Sequence, residues 1–156
     1  MKLAFYKGRR GGLAGLFDAA VRWWTRGSYS HVELVAPGWV ASASMRDGGV
    51  RFKAIDFHPD RWDLVAIGGD EIAARAWFEA HQGAAYDWMG LFGFVWRPGR
   101  EVTRRWFCSE AVAAALGFKE PWRFCPNTLA AAAGASTVVT SPASTRACAK
   151  MPTNHP

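Results

Sequence analysis

Cysteine is scarce in this sequence, and long apolar runs are missing. Only three cysteines, Cys108, Cys125 and Cys148, occur in 156 residues, with no Cys-x-x-Cys pair and no Cys/His zinc spacing. We therefore expect no disulfide framework, no structural metal and no cofactor. No apolar stretch reaches the length of about 18 residues that spans a membrane, and the run before Lys7 is too short for a signal peptide. The sequence predicts a protein without a transmembrane segment that is cytoplasmic as synthesised.

Acidic residues are fewer than basic ones. The chain has 13 Asp and Glu against 19 Lys and Arg, which gives a net charge of +6. A basic surface attracts polyanions, but the arginines are scattered, only Arg9-Arg10 and Arg104-Arg105 are adjacent, and no nucleic-acid-binding motif occurs. We expect nucleic acid not to be a partner, whereas attraction to an anionic cell wall or membrane surface stays open.

The apolar pattern predicts an α+β fold in one domain. Hydrophobic residues make up 50% of the chain, enough for a single core. Strand-like runs occur at 2–7, 31–36, 39–44, 50–55 and 63–68, and they indicate a small antiparallel sheet. Helical spacing or capping residues indicate helices at 13–26, from Asp70 onward, at 108–116, and at 127–133 with Asn127 as N-cap. We assign residues 1–135 to the domain and 136–156, rich in Ser, Thr, Pro and Ala, to a C-terminal appendage.

The helix predicted at 13–26 is amphipathic. Its apolar residues recur at helical spacing, and Gly27 is expected to close it. These residues are Leu13, Leu16, Phe17, Ala20, Trp23 and Trp24.

A hairpin around Pro37-Gly38 predicts a polar stripe. Pairing Ala36 with Trp39 sets a register in which Glu33 lies opposite Ser42 and His31 lies opposite Ser44. Because strand side chains alternate with a period of two, these four side chains share one face of the sheet.

Cys108 and His31 are the candidate catalytic pair. Cys108 opens a predicted helix, where free backbone N–H groups favour a thiolate and bind an oxyanion. A neutral imidazole beside it removes the thiol proton, and a third polar group must then orient the ring. Both Glu33 and Ser44 meet that requirement; Glu33 is the first choice and Ser44 the alternative. Each residue taken alone is equally compatible with a structural role.

Aromatic residues exceed what the core requires. Nine tryptophans occur in the chain, and we expect some of them to line a cleft. We assign Tyr6, Tyr86 and Trp106 to substrate binding.

Several short motifs in this order resemble a known family. They are Ser30-His31-Val32-Glu33-Leu34, Tyr86-Asp87, Phe107-Cys108-Ser109-Glu110 and Cys125-Pro126-Asn127-Thr128-Leu129. The chain resembles the circularly permuted branch of the papain-like, NlpC-type hydrolases, the YiiX/YebB-like group, in which the histidine strand precedes the cysteine helix. The family often has glycine two residues after the histidine, where this chain has Glu33.

The resemblance implies a permuted papain-like fold and metal-free hydrolysis or transfer at an amide or ester bond. Its substrates are commonly peptidoglycan peptides, and lipid esters are a further option. Several relatives belong to phages or prophages, which would make the protein virion-associated or released by another route. The first hypothesis is therefore a thiol amidase or peptidase. The alternative is a non-catalytic binding or phage-structural module that uses an aromatic cleft.

Overall fold

The computed structural model describes residues 1–87 and 105–134. Within these ranges one seven-stranded sheet forms, in the order β5-β1-β2-β3-β4-β6-β7. All neighbouring strands are antiparallel except β6 and β7, which are parallel. The strands are β1 (Lys2–Tyr6), β2 (His31–Ala36), β3 (Trp39–Ser44), β4 (Gly49–Phe52), β5 (Trp62–Ala66), β6 (Ala85–Tyr86) and β7 (Arg105–Trp106).

Four α-helices accompany the sheet in the described residues, which confirms the α+β class. They are α1 (Gly12–Thr25), α2 (Glu71–Ala80), α3 (Cys108–Ala115) and α4 (Pro126–Ala132), with a short 3₁₀ helix at Pro121–Arg123. Within the same residues, none of the helices combines the length and the apolar character needed to cross a membrane. The predicted appendage, 136–156, lies outside the described residues.

The predicted hairpin has the predicted register. Ala36 pairs with Trp39, Val35 with Val40 and Leu34 with Ala41. Gly38 has φ of +81°, a left-handed conformation that glycine adopts without strain, so the turn depends on this residue.

Helix α3 packs against the central strands through small side chains. Its buried residues include Ala111, Val112 and Ala115, which join a core cluster with Val32 and Leu34 of β2. Because alanine side chains are small, the helix can approach β2 closely. This packing holds the first residue of α3, Cys108, near the strand that begins at His31.

Helix α1 leaves most of its large apolar side chains outside the core, although Phe17 packs against it. Its buried residues are Asp18 and Val21, whereas the exposed fractions of Leu13, Leu16 and Trp23 are 87%, 69% and 77%. The helix also ends before Gly27, at Thr25, because Arg26 takes the left-handed conformation at its C-cap, with φ of 49°.

The sequence predicted Asn127 as the N-cap of the last helix, and this prediction is wrong. Cys125 is the N-cap, and its sulfur accepts a hydrogen bond from Thr128 N. Asn127 instead joins the end of α1 to the start of β2. Its Nδ2 donates to Thr25 Oγ1 at 2.7 Å and to the Tyr29 carbonyl at 2.9 Å, while its Oδ1 accepts from Tyr29 N at 3.0 Å.

We expect Asn127→Ala to lower the free energy of unfolding by about 2–3 kcal/mol, because it removes three hydrogen bonds of about 1 kcal/mol each. Urea unfolding measures the change. Gln82→Ala is the control, since Gln82 is an exposed amide residue. Equal effects of the two substitutions would contradict the bridging role of Asn127.

Candidate active site

His31 is the first residue of β2 and is held on both sides. It pairs with Tyr6 of β1, and Ser30 N, just before it, donates to the Tyr6 carbonyl at 3.0 Å. The Asn127 bridge fixes Tyr29 in the same segment. The side chain of His31 is 17% exposed, so a ligand can reach one edge of a ring that is otherwise enclosed.

Glu33 lies two residues further along β2, on the same face as His31. Its Oε1 is 2.7 Å from His31 Nε2, and its side chain is only 1% exposed. This contact makes Nε2 the donor and leaves Nδ1 as the ring nitrogen for another partner. The structure therefore joins His31 to Glu33, the first of the two residues proposed to orient the ring.

Cys108 supplies the second partner of His31. The charge of Cys108 and its hydrogen bonding are among the causes that raise the pKa of His31. Phe107, the N-cap of α3, is extended, and its carbonyl accepts the first helical bond from Ala111 N. The N–H groups of Cys108 and Ser109 therefore have no acceptor within the helix, and they carry the partial positive charge of its N-terminus. Cys108 itself is 0% exposed.

Arg51 of β4 binds both oxygens of the Glu33 carboxylate. Its NH1 donates to Oε2 at 2.7 Å and its NH2 to Oε1 at 2.6 Å, a two-pronged contact between side chains that are 14% and 1% exposed. Arg51 Nε also donates to Asp47 at 3.0 Å, and Lys53 Nζ donates to Asp47 at 2.6 Å. A chain of alternating charges thus runs from His31 to the protein surface.

These contacts determine the charge of each group. Burial lowers the pKa of His31, but the negative charges of Cys108 and Glu33 and the hydrogen bonds to both outweigh it and raise the pKa to about 9. Burial raises the pKa of Glu33, but the Arg51 hydrogen bond and the His31 charge outweigh it, so this pKa falls below its usual value. At neutral pH the site contains an imidazolium next to an ionised carboxylate.

Ser44, the second residue proposed to orient the ring, hydrogen-bonds elsewhere. Its side chain bonds to Asp47. Burial raises the pKa of Asp47, but hydrogen bonds from Lys53, Arg51 and Ser44 outweigh it and lower the pKa below its usual value. Ser44 therefore acts on Asp47, which binds Arg51, rather than on the imidazole itself.

A cavity of about 130 Å³ lies beside His31. Tyr6, Tyr86, His31, Glu33 and Ser44 all line it, together with side chains from α1. The Tyr6 ring lies below the Arg10 guanidinium, 4.7 Å from its centroid, and packs edge-on against Trp62 with a centroid distance of 4.9 Å. Tyr6 is thus a rigid wall of the cavity.

Tyr86 and Trp106, both predicted to bind substrate, lie in different places. Burial and the negative charges of Cys108, Asp87 and Asp18 raise the pKa of Tyr86 well above its usual value, so its phenol keeps its proton beside the cavity. Trp106 instead packs against α2, with centroid distances of 4.8 Å to Trp77 and 5.4 Å to His81.

The reason for the different location of Trp106 is strand geometry. Trp106 and Phe107 are consecutive residues of an extended segment, so their side chains point to opposite sides. The Phe107 ring lies near Tyr86, at a centroid distance of 5.9 Å, which directs Trp106 away from it.

The sequence did not reveal the role of two residues that form the site, Arg51 and Asn127. Arg51 had a detectable signal, because it pairs with Ser42, which the predicted register places opposite Glu33. Three adjacent strands therefore align Glu33, Ser42 and Arg51 on one face. Asn127 had no comparable signal, since its contacts join segments 98 and 102 residues apart.

Within residues 1–87 and 105–134, no group of three or more His, Cys, Asp or Glu side chains is arranged to hold a metal ion. Comparisons of the chain with models of protein families, with curated proteins and with solved structures find no match.

We expect Arg51→Met to lower the free energy of unfolding by about 3–5 kcal/mol, because it leaves the Glu33 carboxylate buried with one donor instead of three. Lys53→Met is the matched control. It removes a cation from Asp47 in a more exposed pair and should cost less than about 1 kcal/mol. Urea unfolding of both variants at neutral pH tests this, and a loss from Arg51→Met no larger than that from Lys53→Met would refute it.

Proposed function

We propose that this protein is a cysteine amidase or peptidase with a permuted papain-like fold. The observation that carries the proposal is the contact of Cys108, at the N-terminus of α3, with His31, whose other ring nitrogen is bound by the buried Glu33. Nucleophile, base and orienting group thus form one chain of contacts. The histidine strand precedes the cysteine helix, which supports the resemblance to the permuted NlpC-type hydrolases.

The first half of the reaction transfers the acyl group to the enzyme. The Cys108 thiolate attacks the carbonyl carbon and forms a C–S bond, while the carbonyl π electrons move to oxygen. The backbone N–H of Cys108 stabilises this oxyanion. The His31 imidazolium then donates its proton to the leaving amine nitrogen as the C–N bond breaks, which leaves a thioester on Cys108 and a neutral imidazole.

The second half releases the acid. Neutral His31 accepts a proton from water, the hydroxide attacks the thioester carbon, and the C–S bond breaks to return a thiolate beside an imidazolium. Glu33 stays ionised through both halves, because the Arg51 guanidinium donates to both of its oxygens. Its charge stabilises the imidazolium, and its position fixes the ring so that Nδ1 faces the sulfur.

The substrate class that we propose is a peptide of the cell-wall type, with an acyl-lipid ester as the other option. Tyr6 and Tyr86 provide aromatic walls of the cavity. Both bond types present a carbonyl carbon and a leaving group that accepts a proton, so the same residues act on either.

The burial of Cys108 favours a second candidate function, a non-catalytic binding module. The sulfur is 0% exposed, and the described residues that line the cavity include His31 and Glu33 but not Cys108. A substrate must therefore displace the side chains that cover the thiol before it can be attacked. A binding module would use the same cavity without that step.

We expect Cys108→Ser to reduce hydrolysis by at least about 10³-fold while the fold is kept, because a hydroxyl of similar size is a much poorer nucleophile. Cys125→Ser is the matched control, since Cys125 is also buried but caps α4. Activity on peptidoglycan fragments and on acyl-lipid esters is measured beside thermal melting. Equal loss of activity in both variants, or no activity in the unmodified protein, would favour the binding module.

We expect Glu33→Gln to lower the rate and to narrow the pH–rate profile from both sides. His31 donates a proton only below its pKa of about 9, and without the Glu33 charge that pKa falls, so the alkaline limb moves to lower pH. The thiolate–imidazolium pair also forms less readily, so the acid limb moves to higher pH. The measurement is kcat/KM across pH.

The control for this experiment is Glu79→Gln, which alters an exposed carboxylate on α2. Ser44→Ala should keep the profile, because Ser44 bonds to Asp47. If Glu33→Gln keeps the unmodified rate and profile while Ser44→Ala loses activity, Ser44 is the orienting residue and the role given to Glu33 is wrong.

A further inference from the structure

The outer face of α1 is apolar along its whole length. Leu13, Leu16 and Trp23 are 87%, 69% and 77% exposed, Trp24 is 41% exposed, and Ala20 is exposed between them. At about 100° per residue these five side chains lie within an arc of about 100°. Outward-facing helix surfaces of soluble monomers are ordinarily polar, so this surface, which we call the α1 stripe, is the type that binds a partner.

The polar residues of α1 leave the stripe uninterrupted. Asp18, the only acidic residue of the helix, is 1% exposed and accepts two hydrogen bonds from Arg10, at 2.7 and 2.8 Å. Arg22 donates to the Gly8 carbonyl at 3.1 Å and to Ser30 Oγ at 3.3 Å, and Thr25 donates to the Val21 carbonyl. Each of these side chains is bound to the protein rather than directed into the stripe.

Exposed cations flank the stripe at both ends. Arg9 lies before the helix and Arg26 at its C-cap, and within the described residues neither forms an ion pair. No acidic side chain of α1 is exposed to offset them. The surface thus combines leucine and tryptophan side chains with positive charge at each end.

We propose that the α1 stripe is a docking surface for an anionic lipid bilayer. A helix that lies in a membrane interface needs an apolar face with tryptophan or leucine and cations at the level of the lipid phosphates, and α1 with Arg9 and Arg26 provides both. The net charge of +6 adds long-range attraction to such a surface.

The same charges disfavour a second copy of this chain as the occupant. In a two-fold symmetric dimer the α1 stripe of one copy contacts the α1 stripe of the other, so the flanking arginines of both copies come close together. Like charges across an interface oppose association, whereas lipid phosphates neutralise them.

Docking through the stripe places the cavity beside the bilayer. Ala14 and Phe17 of α1 line the cavity, and Phe17 adjoins Leu13 and Leu16 on the helix. The membrane surface and the cavity are therefore separated by the thickness of one helix. Bilayer binding itself requires no hydrolysis, so it is tested separately from the proposed reaction.

Co-sedimentation with vesicles tests the proposal on the full chain. We expect binding to vesicles of phosphatidylcholine and phosphatidylglycerol, weak binding to phosphatidylcholine alone, and a decrease with added salt. Leu16→Ser and Trp23→Ser should each reduce the affinity by at least about tenfold, because each removes a side chain that the lipid buries. Arg9→Gln and Arg26→Gln should each reduce it by about fivefold.

Matched controls separate the stripe from general surface effects. Ile72→Ser changes another exposed apolar side chain, 83% exposed on α2, and Lys119→Gln removes another exposed cation. Both should bind like the unmodified protein. Cys108→Ser should also bind normally, so loss of hydrolysis and loss of docking are distinguished.

The proposal is overturned if the protein does not bind the anionic vesicles, or if Ile72→Ser weakens binding as much as Leu16→Ser. It is also overturned if sedimentation equilibrium shows a stable dimer that Leu16→Ser dissociates, since the stripe is then an interface between copies.

Discussion

A buried carboxylate with two cationic partners is the interaction on which the candidate site depends. Glu33 is 1% exposed and lies between His31, at 2.7 Å, and the two-pronged guanidinium of Arg51. An ionised carboxylate at this depth is stable only with such partners, and removal of either one leaves the buried charge with fewer donors than it needs. Cys108 and then Glu33 raise the pKa of His31, while Arg51 and His31 lower the pKa of Glu33, so the contacts that stabilise the buried carboxylate also contribute to the charge of the imidazole.

The remaining scaffold positions His31, the partner of this carboxylate, beside the cysteine helix. The alanine-rich side of α3 packs closely on β2, which brings Cys108 to His31 at the start of the strand. Asn127 fixes the segment before His31 by binding both backbone polar groups of Tyr29. Asp47 and Lys53 extend the charge chain from Arg51 to the surface. The packing of α3 and the Asn127 bridge thus position the imidazole, and the chain of ion pairs supports the charge beside it.

Local patterns in the sequence predicted the strands β1 to β5 and the register of the hairpin, but not the two-residue strands β6 and β7. They succeeded because the turn at Pro37-Gly38 and the period-two alternation depend on neighbouring residues alone. They failed where tertiary contacts decide. The spacing of apolar residues in α1 is the same whether that face is buried or exposed. Asn127 contacts a residue 102 positions away in the chain. The direction of the Trp106 side chain depends on the packing of its neighbour Phe107. Arg51 was detectable only once three strands were aligned.

The charge of the His31 ring at neutral pH is the most direct test of this account. Heteronuclear NMR of the ring nitrogens, assigned with a His31→Gln variant, reports that charge without requiring access to the buried thiol. The account predicts an imidazolium at neutral pH that loses its proton as the pH rises through about 9, and a lower His31 pKa in Cys108→Ser, because Cys108 is one of the groups that raise it. A ring that is neutral at neutral pH, with a pKa of about 6.5 that Cys108→Ser leaves unchanged, would contradict it.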